Sequence, residues 1–384
     1  MKKMTTKHVL VALTLGLTLA SCSKDEAVSN ADPASVDMND QMTVNSRTAL
    51  PENIAGNIQW DISGIKAHEF SYKIIKAVEP SECGNTPFRE VSSYYNNALI
   101  NGFISSWDGN PDAIGVILED YFVINQIAAL NENKNADTFG ANGEYTHYVQ
   151  NRVRSLEKFW DMPDLISVRG QHTSTLEDLA FIRYVYENYS NASPEVIDYF
   201  ISIAEHFNTT SDQIPENPFY AADGFATFSG FIVIGDGIVS MLSETGLDPK
   251  VVWSGILAHE WGHQIQFQNY GKWNYPVPAF IGTPESTRMT ELEADFLTGY
   301  YLTHKRGGTY NWKRVEDVLL SFYNIGDCGF TSPGHHGTPN QRLEAARQGY
   351  LLAASQQKKG HISDPQVVHD AFISVLPSIV GESL

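Results

Sequence analysis

His259-Glu260-Trp261-Gly262-His263 sets two imidazoles four residues apart, and so on one face of a helix, with a carboxylate directly after the first. Neutral imidazoles in that register can hold a zinc ion, and a neighbouring carboxylate can take a proton from water that the ion has acidified. Glu260 adjoins His259 and cannot share its face, so its expected part is general base rather than ligand. The implied chemistry is hydrolysis of a peptide bond with one zinc per chain. A short motif also arises by chance, so the argument needs a third ligand from elsewhere.

Glu291-Leu292-Glu293-Ala294-Asp295 supplies it. Glu291 and Glu293 are two residues apart and point away from each other on a helix, so only one can face the metal. Asp295 lies one turn beyond Glu291 on the same face, which selects Glu291 as ligand. Asp295 itself is placed to accept the outer N–H of a ligating imidazole, expected to be that of His259. Gly262 costs the motif helix about 1 kcal/mol of propensity relative to alanine, which is explained if bulk there obstructs packing beside the metal.

Three blocks in order carry a resemblance. The run His259-Glu-Trp-Gly-His263-Gln-Ile-Gln266, then Glu291 to Asp295, then His336-Gly337-Thr338-Pro339-Asn340-Gln341-Arg342, is similar to the bacterial neutral zinc metallopeptidases. The Glu-x-x-x-Asp element also resembles the thermolysin-like gluzincins. The resemblance implies a zincin-like catalytic region, with His259, His263 and Glu291 as zinc ligands and Glu260 as the base. It spans roughly residues 220 to 350 and leaves 51–208 without a role. His336 has two readings. It can donate to a developing oxyanion, or His336-Gly-Thr is a turn fixing the next helix while Arg342 ties that helix to the core. Tyr270, Tyr275, Tyr300 and Tyr301 are further candidate donors. The aromatic, proline-rich run from Trp273 to Phe280 is expected to line or cover the cleft.

The elements that must position these groups are mainly helical. Ser193-Pro194, Asp248-Pro249, Thr283-Pro284, Thr338-Pro339 and Asp364-Pro365 each pair an N-cap residue with proline at the first helical position. Gln341 stands at the capping-box position after Thr338. Phe225–Phe228 and Phe231–Ile234 are glycine-bounded, β-prone runs just before the motif helix. They predict a small sheet or hairpin whose edge can pair with an extended substrate backbone. The fold class is therefore α+β, mainly helical.

At the start, Lys2, Lys3 and Lys7 precede an apolar run, Val9 to Ala20, too short for a permanent membrane span. Leu19-Ala20-Ser21-Cys22 resembles a bacterial lipobox, which implies lipidation of Cys22 and a signal peptide over 1–21. Ser23 resembles the pattern that sends such proteins to the outer membrane. Residues 22–50 are polar and read as a tether, 51–208 as a helical region and 209–384 as the catalytic region. The formal charge of -19 argues against nucleic acid and anionic lipid surfaces as partners, which leaves a lipid anchor for the membrane and a peptide or protein as substrate. Cys83 and Cys328 are candidates for a disulfide in an oxidising envelope. The competing reading is a non-catalytic envelope lipoprotein with a structural zinc, which has no use for Glu260. An amidase acting on cell-wall peptides would use the same chemistry.

Overall fold

All five proline-led caps form. The side chains of Ser193, Asp248, Thr283 and Asp364 accept from backbone N–H groups of Val196, Lys250, Ser286 and Gln366. Thr338 and Gln341 bond reciprocally, at 3.2 and 3.0 Å, as a capping box. The computed structural model describes residues 59–60, 85–106, 112–326, 335–356 and 360–381. The signal peptide, the tether, Cys22, Cys83 and Cys328 lie outside the described residues.

In chain order the elements are α1 (Pro87–Ser106), α2 (Asp112–Leu130), α3 (Thr146–Trp160), β1 (Ser167–Gln171), α4 (Leu179–Tyr189), α5 (Pro194–Thr210), β2 (Gly224–Ala226), β3 (Phe231–Gly235), α6 (Asp236–Glu244), α7 (Pro249–Asn269), α8 (Pro284–Thr303), α9 (Trp312–Ile325), α10 (Pro339–Gln356) and α11 (Pro365–Val380). The fold is mainly helical, with a small sheet preceding the motif helix α7, as the sequence predicts, and the short α6 between them.

The sheet holds one strand that the glycine-bounded runs do not announce. Its order is β1-β3-β2, with β1 parallel and β2 antiparallel to the central β3. β1 reads Ser-Val-Arg-Gly-Gln, too short and too polar to stand out from its helical surroundings. β2 is the edge strand that packs against α7. It is fixed at its start by Asp223, fully buried, whose carboxylate accepts from Gln171 at 2.7 Å and Gln126 at 3.1 Å.

α7 and α8 are buried on nearly every side, as expected of helices at the centre of a large core. α8 packs between α7 and α10, and glycines permit the close approach. A Cβ on Gly262 would meet the Ala294 Cα at 3.0 Å, and one on Gly299 would lie 2.1 Å from the Ala346 carbonyl oxygen. The expected reason for Gly262 holds: it lets the two ligand-bearing helices touch. One apolar core surrounds α7 and α8 and the other lies among α2, α4 and α5. Both draw on either side of residue 208, the first through Phe139 and Phe159, the second through Phe219 and Met241.

Candidate metal centre

Neighbouring turns of α7 bring His259 and His263 together with ring centroids 4.8 Å apart and planes nearly perpendicular. Glu291 reaches across from α8. Its carboxylate oxygens lie 3.2 Å from the His259 Nε2 and 3.3 Å from the His263 Nε2. Ligand atoms at zinc distances on a tetrahedron are about 3.3 Å apart. Each imidazole therefore stands from the carboxylate at about that separation, and one ligand atom from each of the three residues lies within 4.8 Å of the others, a spacing that could hold a metal ion.

The outer nitrogens explain why both Nε2 atoms face inward. His259 Nδ1 donates to Asp295 Oδ1 at 2.9 Å, the partnership the sequence anticipates. Asp295 is fully buried and gripped by Arg342, whose Nε and Nη2 donate to its two oxygens at 2.7 Å each. His263 Nδ1 donates to Gln266 Oε1 at 2.8 Å. The Gln266 amide is oriented by its Nε2, which donates to the Thr290 carbonyl at 2.8 Å and to Glu293 Oε2 at 3.0 Å. Each imidazole thus has its Nδ1 engaged on the outside and its Nε2 turned toward Glu291, the orientation in which it would bind a cation.

Glu293, the rejected third ligand, turns away as the helical angle requires. It is fully buried and accepts from His369 Nδ1 at 2.6 Å and the Tyr275 hydroxyl at 2.8 Å. Burial and the Glu293 charge push the Tyr275 phenol up, so it stays a donor. Trp273 stacks on His369 at 4.3 Å. Trp273 and Tyr275 therefore close over the buried Glu293, while Phe280 of the same run turns to an aromatic cluster at the end of α7.

Without a cation, proton binding follows from the same contacts. Burial opposes a charge on His259, but hydrogen bonds to Asp295 and Glu291 outweigh it and push the imidazole up to about 10. Burial would raise the Glu291 carboxyl. The charges of His263 and His336, with hydrogen bonds from both ligand histidines, hold it well below the usual carboxylate range instead. A proton on His259 and a divalent cation are then alternatives for one site.

Glu260 is buried beside this cluster, and β2 passes directly over it. A Cβ on Gly224 would lie 3.6 Å from Glu260 Oε1. His336 is half-buried and close enough for its charge to act on Glu291. The tyrosine candidates fall elsewhere. Tyr300 and Tyr301 are core residues bonded to Gln356 and Ser155, and Tyr270 is exposed at the end of α7. Sequence reasoning assigned no part to Gln266, His369 or Gln264. Gln266 does carry a signal, since a residue three after a ligand is within reach of its outer nitrogen.

His259, His263 and Glu291, with Glu260 alongside, match the catalytic arrangement of a zinc peptidase. The motif and the distal glutamate make a zinc site of the His-Glu-x-x-His type, and such a cluster suits a peptide or protein substrate. Among the described residues no helix is long and apolar enough to cross a membrane. No family model, no curated protein and no solved structure matches this chain.

Proposed function

We propose that this chain is a zinc-dependent endopeptidase of gluzincin type, tethered to the outer membrane of a cell envelope by a lipid on Cys22. The observation that carries the peptidase reading is the convergence of His259, His263 and Glu291 at metal-site spacing with Glu260 beside them. His259, His263 and Glu291 would hold one zinc, which when bound acidifies water and polarises a carbonyl. Glu260 takes the proton as water attacks the peptide carbon and delivers it to the departing nitrogen. His336, close enough for its charge to act on Glu291, would donate to the developing oxyanion.

β2 supplies the substrate's backbone partner. Asp223 and Thr227 make their ladder bonds to Gly235 and Phe231. The alternation of an antiparallel ladder then turns the N–H and C=O groups of Gly224 and Ala226 toward the outer edge. An extended peptide docking there runs over Glu260. Residues 51–208 act in this reading as the framework that holds β1 and, through it, the edge strand. The anchor reading is supported by the lipobox-like Leu19 to Cys22, and a Cys83–Cys328 disulfide by the compartment it implies.

Zinc content and hydrolysis of an unfolded protein, compared between the native chain and Glu260→Gln, test the proposal. One zinc per chain in both, with hydrolysis lost in the variant, is the expected result. One zinc without hydrolysis of any substrate, or activity unchanged by the substitution, would sink it and favour a structural metal.

A further inference from the structure

β2 and α7 run in the same direction, and their contacts fix a register between them. Gly224 sits over Glu260. The Gln264 side chain donates to the Thr227 and Phe231 carbonyls at 2.9 and 3.1 Å. Phe228 stacks on Phe267 with centroids 4.0 Å apart. Gly224 and Ala226 alternate onto the side of β2 that faces α7, and Phe228, in the turn that follows, meets the same helix through Phe267. The floor of the cleft therefore begins at the general base, passes His263 and ends on aromatic rings.

That end is a built surface. Phe280 packs on Phe267 at 5.1 Å, on Phe228 at 5.6 Å and on Tyr270 at 5.9 Å. The Phe267 ring is also nearly parallel to the His263 ring at 6.3 Å. Phe228 and Tyr270 remain 48 and 43 % exposed, with Ile281 beside Phe280 in sequence at 48 %. Water thus still covers much of an aromatic cluster that adjoins a metal ligand. Phe280 adopts φ 59°, a left-handed backbone that bulky residues avoid. Such strain is retained where the placement of a side chain is itself used.

We infer that Phe228, Phe267, Tyr270 and Phe280 form a subsite for a large apolar side chain of the peptide substrate. The inference rests on the peptidase reading and names its substrate class. Phe267 lies one helical turn beyond His263, roughly 6 Å along α7. An extended peptide advances about 3.3 Å per residue, so the side chain on this shelf belongs two or three residues from the cleaved bond. Antiparallel pairing with β2, the more stable arrangement per residue, puts that side chain on the N-terminal side of the bond.

Two measurements on the full chain test this. The first is mass-spectrometric mapping of the bonds cut in an unfolded protein by the zinc-loaded enzyme. Phe, Tyr, Leu or Met should be enriched at the second or third residue before the cut. Phe228→Ala and Phe280→Ala should each reduce that selectivity, expressed as a kcat/KM ratio between Phe and Gly peptides, by about tenfold or more. The second is fluorescence anisotropy of labelled peptides on zinc-loaded Glu260→Gln, which reads binding without cleavage. A Phe peptide should bind more tightly than its Gly counterpart, and Phe228→Ala in that background should erase the difference. Equal binding of the two peptides overturns the subsite whether or not the protein cleaves. Phe-dependent binding without cleavage by the native chain leaves the subsite standing and removes the peptidase reading. Enrichment after the cut overturns the antiparallel orientation.

Discussion

Asp295→Asn perturbs the metal centre without touching a ligand. The aspartate receives His259 Nδ1–H at 2.9 Å on Oδ1 and two Arg342 N–H groups at 2.7 Å, one on each oxygen. An asparagine offers one oxygen for three donors. With that oxygen at the Oδ1 position, its NH2 opposes Arg342 Nε–H. Flipped, the NH2 opposes both His259 and Arg342 Nη2. Either way a donor faces a donor, and Arg342, buried, loses its closest anion. Two losses follow. Removing the outer partner of a ligating histidine weakens metal binding about 10- to 100-fold. Stranding one member of a buried ion pair costs about 3–5 kcal/mol, toward the lower end here because Glu291 still lies 3.7 Å from Arg342. Competition with a chromophoric chelator measures the first loss, and denaturant unfolding of the metal-stripped protein measures the second. A zinc affinity within about twofold of the native value would refute the part assigned to Asp295.

Zinc uptake is expected to release protons. In metal-stripped protein His259 stays protonated to about 10, against 6.5 when unperturbed, so its contribution to folding is complete below 6.5 and is lost as pH rises through about 10. Glu291, held below its usual range, contributes above the ordinary carboxylate pKa and loses that as pH falls through its lowered value. Calorimetry at pH 8 in buffers of differing ionisation heat should find about one proton released per zinc, and none released would contradict the His259 assignment. Alanine at Gly299 would meet a backbone carbonyl at 2.1 Å, but at Gly262 the Ala294 Cα at 3.0 Å and its Cβ and carbonyl oxygen at 3.3 Å. Gly299→Ala should therefore destabilise by at least about 2 kcal/mol. At Gly262 the helix-propensity gain of about 1 kcal/mol should nearly offset the contact. Equal denaturant midpoints for the two variants would refute this account of the helix packing.

What the sequence disclosed depended on how far the relevant partner lies along the chain. The caps, the pair of helical faces that separates Glu291 from Glu293, and the link from Asp295 to His259 all follow from helical geometry and short-range hydrogen bonding. The structure has each of them. Arg342 was legible as a tie to the core, though not as the cation that grips Asp295. His369 was not legible at all. It stands between Val368 and Asp370 on a helix that carries none of the three metal-site blocks, and it meets Glu293 from 76 residues away. β1 escaped for a related reason, since a five-residue strand in parallel register gains its identity from β3 and not from its own side chains.

These distant partners also account for an asymmetry that the motif conceals. His259 leans on a carboxylate and His263 on a neutral amide, so the two ligands are not equivalent donors. The anionic partner raises the basicity of His259 and strengthens it as a zinc ligand. Its charge is balanced by Arg342 from α10, which keeps a third negative group from accumulating beside Glu291 and Glu260. The amide on His263 is anchored instead by Glu293, whose own partners come from α11 and the Trp273–Tyr275 segment. One ligand is thereby tied to α10 and the other to α11. The C-terminal helices, which contribute no metal ligand, thus hold the outer nitrogens on which the geometry of the centre depends.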